Sequence, residues 1–110
     1  VNTDGCHKDI ADMSNMLKSH GYSIIICSWR KADCREETIK WLDANHIPYD
    51  ELFMRGSDDN RKDSIVKYEL LTEEILPHYY VKWVFDDRKQ VVDMWRQAWL
   101  RCYQVAPWDF

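Results

Sequence analysis

The run Tyr22-Ser23-Ile24-Ile25-Ile26-Cys27 is short, rich in β-branched residues and free of polar alternation. A strand with one face in water alternates apolar and polar residues, so an unbroken run implies cover on both faces, as in a parallel sheet flanked by helices. Parallel strands need long crossovers, usually helical, and the rest of the chain is patterned to supply them. Between Lys8 and Gly21, Ile10, Met13, Met16 and Leu17 recur at helical spacing, and Gly21 is a helix stop. The pattern further predicts a helix over 36–45, a weaker strand over 49–54, and a long helix over 61–76 closed by Pro77. A strand over 81–85, a helix over 89–101 and a short strand over 102–106 complete it. Such alternation predicts an α/β fold with right-handed crossovers, its functional residues at the carboxyl ends of the strands.

With 110 residues, 45% of them hydrophobic and 14% aromatic, the chain reads as one globular domain over 1–110 and not as a disordered or fibrous chain. Cys6, Cys27, Cys34 and Cys102 show no metal-ligand spacing, which suits reduced thiols and a cytoplasmic location. No stretch approaches the roughly 20 apolar residues that cross a bilayer, so no membrane partner is expected. A net charge of -4 argues against a broad basic face for duplex binding, while leaving open a grip on a nucleic-acid end. With Gly5, Gly21 and Gly56 as its only glycines, the chain cannot build a glycine-rich phosphate loop or a dinucleotide fingerprint.

Three clusters fall where such a sheet would collect functional groups. The run Val81-Lys82-Trp83-Val84-Phe85 ends in Asp86-Asp87-Arg88, two adjacent carboxylates that repel unless a cation, a proton or helix-terminal N–H groups offset them. Mg²⁺ is the ion most often held by one or two carboxylates beside a phosphate, so phosphoryl chemistry comes first; the plain alternative makes Asp87 the cap of the following helix. Ser28-Trp29-Arg30 follows the first strand. Ser28 and Arg30 suit phosphate oxygens, and Trp29 a base, although serine also simply closes turns and tryptophan simply packs. Asp63 and Lys67 are four apart, so they form either an ordinary surface ion pair or an oriented phosphate-neutralising ammonium. His7, His20, His46 and His78 lack ligand spacing, and Trp95 with Trp99 forms a stripe either buried or facing another subunit, which leaves a homo-oligomer open.

Taken together, residues 24–30, Arg61-Lys62-Asp63-Ser64-Ile65-Val66-Lys67 and Phe85-Asp86-Asp87-Arg88-Lys89-Gln90 resemble the second, third and fourth motifs of haloacid-dehalogenase-superfamily phosphatases. Residues 86–96, then Cys102-Tyr103-Gln104-Val105-Ala106 and Asp109-Phe110, resemble the 3′-phosphatase domain of phage polynucleotide kinase-phosphatases. The resemblance implies a Rossmann-like parallel sheet with helices on both faces. It also implies Mg²⁺-dependent removal of a 3′-phosphate from DNA or RNA ends through an aspartyl-phosphate. By that likeness Ser28 binds the transferring phosphoryl group, Arg30 and Asp63 help dock the substrate phosphate, Lys67 neutralises charge, and Asp86 with Asp87 holds the metal. The family's first motif, Asp-x-Asp-Gly-Thr at a strand end, is not found. Asn2-Thr3-Asp4-Gly5 echoes it without a leading Asp or a preceding strand, so Asp4 is read as a loop residue. The expectation is therefore a sheet incomplete at its central strand, a fragment inactive alone, and an upstream part of the same protein that carries the nucleophile and a kinase domain. A catalytically inactive binding or oligomerisation module of the same fold is the alternative. A receiver-like signalling domain ranks below both, because its acidic pair follows the first strand.

Overall fold

A computed structural model describes residues 4–108 of the chain, with side chains from 8 to 105. The elements run α1 (Asp4–Ser19), β1 (Ile25–Lys31), α2 (Arg35–Ala44), β2 (Glu51–Arg55), α3 (Asp63–Leu70), β3 (Val84–Arg88), α4 (Lys89–Gln97) and β4 (Cys102–Trp108). A 3-10 turn, Ala32–Cys34, leads into α2, and a π-helical turn, Leu71–Ile75, continues α3. β1 lies parallel to β2, and β3 parallel to β4, in two separate two-stranded sheets. Each sheet belongs to one of two compact units, Val1–Asp59 and Asn60–Phe110.

The first unit closes on Ala11, Leu42, Ile47 and Leu52, with Ile10, Ile26, Ile39, Tyr49 and Met54 packed against them. Ile26 sits opposite Leu52 in the parallel ladder, so strand pairing and core packing use the same residues. Asp50 locks the entry to β1: its Oδ2 accepts from the Ile24 N–H at 2.6 Å, and its Oδ1 pairs with Lys18 of α1. The Lys18 contact first, and the Ile24 N–H second, hold the Asp50 carboxyl below its usual range.

The second unit buries Val66 of α3, Leu71 and Ile75 of the π-helical turn, Val91, Val92 and Trp95 of α4, and Cys102 of β4. Positions 91, 92 and 95 share one face of a helix, and α4 lies against α3, β3 and β4. Three helices stop in one way. Gly21, His46 and Trp99 each take positive φ (90°, 56° and 66°) just past α1, α2 and α4. The next residue's N–H then reaches back into the last turn: Tyr22 to Leu17, Ile47 to Leu42 and Leu100 to Trp95, at 3.0–3.2 Å. This is the Schellman closure, with an apolar residue at both ends of each longer bond.

Several boundaries differ from those the sequence predicts. β1 starts at Ile25 instead of Tyr22 and runs on through Lys31, so Ser28, Trp29 and Arg30 stand within the strand and not in a following loop. The ladder is regular to Ser28↔Met54 and resumes at Lys31↔Arg55, so Trp29 and Arg30 are extra residues in a bulge. β3 starts at Val84 and continues through Asp86 to Arg88, because Asp86 still pairs with Gln104. Asp4, read as a loop residue, is the first residue of α1. The residue capping α4 is Arg88 and not Asp87, and no side chain caps that end. Asn2 and Thr3 of the first-motif echo, and the terminal Asp109-Phe110, lie outside the described residues. No helix among the described residues is long and apolar enough to cross a membrane.

Candidate active site

Helix α3 and the end of β3 bring four charged groups together in the second unit. Lys67 Nζ lies 3.4 Å from Asp63 Oδ2 and 3.4 Å from Asp86 Oδ2, with side-chain exposures of 8%, 2% and 10% respectively. The ordinary reading of Asp63 and Lys67 as a surface ion pair is thus replaced by a buried ammonium shared between carboxylates on two elements. Arg88 adds a second cation, its Nη1 3.5 Å from Asp63 Oδ2. Buried charges persist only when matched, and here two anions face two cations.

Asp86 is held at both of its oxygens. Oδ1 accepts from the backbone N–H of Asp87 at 2.8 Å and of Arg88 at 3.4 Å. Oδ2 accepts from the Trp95 indole N–H at 3.1 Å and from Lys67. The neighbouring Asp87 is half-buried, and its carboxylate takes no hydrogen bond or ion pair from the described residues. Its backbone is fixed from the other strand, where Gln104 Nε2 donates to the Asp87 carbonyl at 3.0 Å. The two carboxylates, alike in sequence, are unlike in structure: one is turned into the fold and saturated, the other is left with ligand capacity.

That difference bears on Mg²⁺. Among the described residues no three His, Cys, Asp or Glu side chains converge on a cation-sized point. An ion held by one or two carboxylates and completed by phosphate oxygens and water needs no such triad, so Asp87 with Asp86 beside it fits Mg²⁺ better than a closed all-protein cage. The charges agree, since Asp63, Lys67, Asp86 and Arg88 cancel and leave the Asp87 charge over.

Ser28 and Arg30 lie in the first unit. Ser28 Oγ accepts from the Arg30 backbone N–H at 3.1 Å, steadying the bulge and leaving the hydroxyl proton available to donate. Arg30 Nη2 meets Glu37 Oε2 at 3.4 Å in an exposed pair of the weak, solvent-screened kind. Trp29 is exposed beside them. Behind the acidic strand end, the Cys102 thiol is pushed up to about 11, by burial first and by the nearby Asp86 charge second.

Sequence reasoning missed Arg88 and Trp95 as members of this cluster. Arg88 follows the acidic pair directly and was a signal passed over. A tryptophan on the buried face of the helix after that pair was another, because a buried indole N–H needs an acceptor.

Over residues 1–110 the sequence matches the family described as the polynucleotide kinase PNKP phosphatase domain. The chain belongs to this family. It is 40% identical over 82 residues to the "Putative bifunctional polynucleotide kinase/RNA ligase" of Autographa californica nuclear polyhedrosis virus, a match covering 74% of this chain and 12% of that protein. Two solved structures, of the Pnkp1/Rnl/Hen1 complex and of the Pnkp1/Rnl/Hen1 RNA repair complex, contain chains 46% identical to it with a TM-score of 0.87. Each match covers 91% of this chain and 35% or 32% of the other. The chain thus has the haloacid-dehalogenase-like α/β fold of a polynucleotide kinase phosphatase domain and spans a minor part of each relative's length.

Proposed function

We propose that this chain forms part of a Mg²⁺-dependent phosphatase that removes 3′-phosphates from nucleic-acid ends, within a larger kinase-containing protein that acts in the cytoplasm. The observation that carries the reading is the cluster of buried Asp63, Lys67 and Asp86 with half-buried Arg88, and beside it the Asp87 carboxylate, which takes no partner among the described residues. The first-motif nucleophile belongs to an Asp outside these 110 residues, which forms the aspartyl-phosphate. A carboxylate nucleophile divides one hard displacement into two easier ones.

Asp87 is the principal metal ligand, with Asp86 beside it. Mg²⁺ bound there supplies charge that offsets the phosphoryl oxygens. Lys67, clamped by Asp63 and Asp86, holds a fixed positive charge at the strand end and needs no reorganisation when negative charge builds up. Motif order assigns Ser28 to the phosphoryl oxygens and Arg30, with Asp63, to docking of the substrate phosphate. The relatives' names support polynucleotide ends as the substrate class.

The test is a phosphate-release assay of the full-length protein on a 3′-phosphorylated oligonucleotide with Mg²⁺. Turnover is expected, with a loss of at least about 100-fold in Asp87→Asn, as for removal of a group that stabilises transition-state charge. The isolated 110 residues are expected to be inactive. Absence of turnover by the full-length protein would favour the inactive binding module, and robust turnover by the fragment would place the nucleophile within it.

A further inference from the structure

The Trp95 indole is 4% exposed and reaches from the last turn of α4 to Asp86 Oδ2. A buried indole N–H needs an acceptor, and the one it takes here is the carboxylate that shapes the strand end. We propose that Trp95 is a positioning residue of the phosphatase centre, acting through Asp86 on the aim of Asp87; this inference rests on the function proposed above.

Asp86 Oδ2 is shared by the indole N–H at 3.1 Å and Lys67 at 3.4 Å, which fixes the rotation of the carboxylate. That rotation puts Oδ1 under the N–H groups of Asp87 and Arg88, at 2.8 and 3.4 Å. An aspartate bonded to the backbone N–H groups ahead of it fixes the local backbone, and here that backbone decides where the Asp87 side chain leaves β3. The indole is the shorter of the two contacts to Oδ2, and it comes from a rigid ring on a buried helix face. Lys67, by contrast, divides its ammonium between two carboxylates. Without the indole, Asp86 is free to turn toward Lys67, and Asp87 loses its fixed direction.

Trp95→Phe removes the N–H and keeps an aromatic ring, and β-(3-benzothienyl)alanine at position 95 keeps almost the entire shape while replacing N–H by sulfur. In the full-length protein both are expected to lower kcat by roughly 10- to 100-fold, the range typical of groups that orient metal ligands. The half-saturating Mg²⁺ concentration should rise, and KM for the oligonucleotide should stay within about threefold, since no substrate contact is removed. The second readout needs neither metal nor turnover. In the ¹H–¹⁵N spectrum of the metal-free protein the Trp95 indole proton should lie downfield of the exposed Trp99 indole and move upfield in Asp86→Asn, because a charge-assisted bond is lost. Wild-type kcat and Mg²⁺ dependence in the benzothienyl variant, or an indole resonance that ignores Asp86→Asn, overturns the proposal. An inactive wild type instead sinks the phosphatase reading and the role with it, so the two failures are told apart.

Discussion

Lys67 has one charge and two buried carboxylates to answer to, which makes it the least replaceable side chain of the cluster. Lys67→Met should lower stability by about 3–5 kcal/mol in urea unfolding, because truncating a buried pair strands the partner charges. Cys102 reports on the same place from behind. With its thiol pushed up to about 11, the reactive thiolate is scarce at neutral pH and grows only as pH approaches that value. Alkylation near pH 8 should therefore modify the less buried Cys34 well before Cys102, as peptide mass analysis of a time course would show. Part of the cluster was legible in the sequence, since the adjacent acids suggested a metal beside a phosphate, whereas the i,i+4 spacing of Asp63 and Lys67 read first as a surface ion pair. The orientation of the adjacent acids was not. Asp86 and Asp87 read alike as letters, and only the pleat of β3, with an indole on one side, separates them.

Among the elements, the helix stops show what a sequence hides. Gly21 announces the end of α1, whereas His46 and Trp99 take the same left-handed conformation without glycine's freedom, and helix 89–101 was expected to run on past its true end at Gln97. The better signal was the apolar pair at each stop, Leu17 with Tyr22, Leu42 with Ile47 and Trp95 with Leu100, which marks a Schellman closure. A non-glycine residue in that region costs about 1–2 kcal/mol, partly offset in any exchange by glycine's larger unfolded-state entropy. Trp99 is 95% exposed and loses little packing, so Trp99→Gly should raise stability by about 0.5–1 kcal/mol, read as a higher urea midpoint. Strand boundaries shifted for another reason. Apolar character fades at Ser28 and Asp86 while the ladder continues, so hydrophobic pattern ends each strand too early. The tie between α1 and β1 gives a pH test. Because the folded Asp50 carboxyl titrates below its ordinary value of 3.8, its contribution is present above that value and is lost as pH falls through the lower folded one. Asp50→Asn should be less stable than the wild type at neutral pH, and the gap should shrink as thermal melts are run below pH 3.8.

At the level of the whole molecule, each parallel pair has two strands and no ladder joins them among the described residues. Parallel sheets are normally covered and larger, and the proposed upstream motif brings a strand of its own. Amide exchange in β1 and β3 should therefore slow markedly in the longer protein relative to the 110-residue chain, by an amount hydrogen–deuterium exchange can map peptide by peptide. Equal protection in both would mean that no strand is added beside them. The α/β class was readable because alternating elements and an unbroken apolar strand leave few other architectures. The division at Asp59 and Asn60 was not, since no proline-rich or low-complexity tract marks it. Under the proposed metal role, the bond between Trp95 and Asp86 has an optical consequence. An indole fastened to the carboxylate beside Asp87 feels any positive charge bound there as a change in the electric field across its ring. The part of the emission that comes from Trp95 should therefore shift when Mg²⁺ is added.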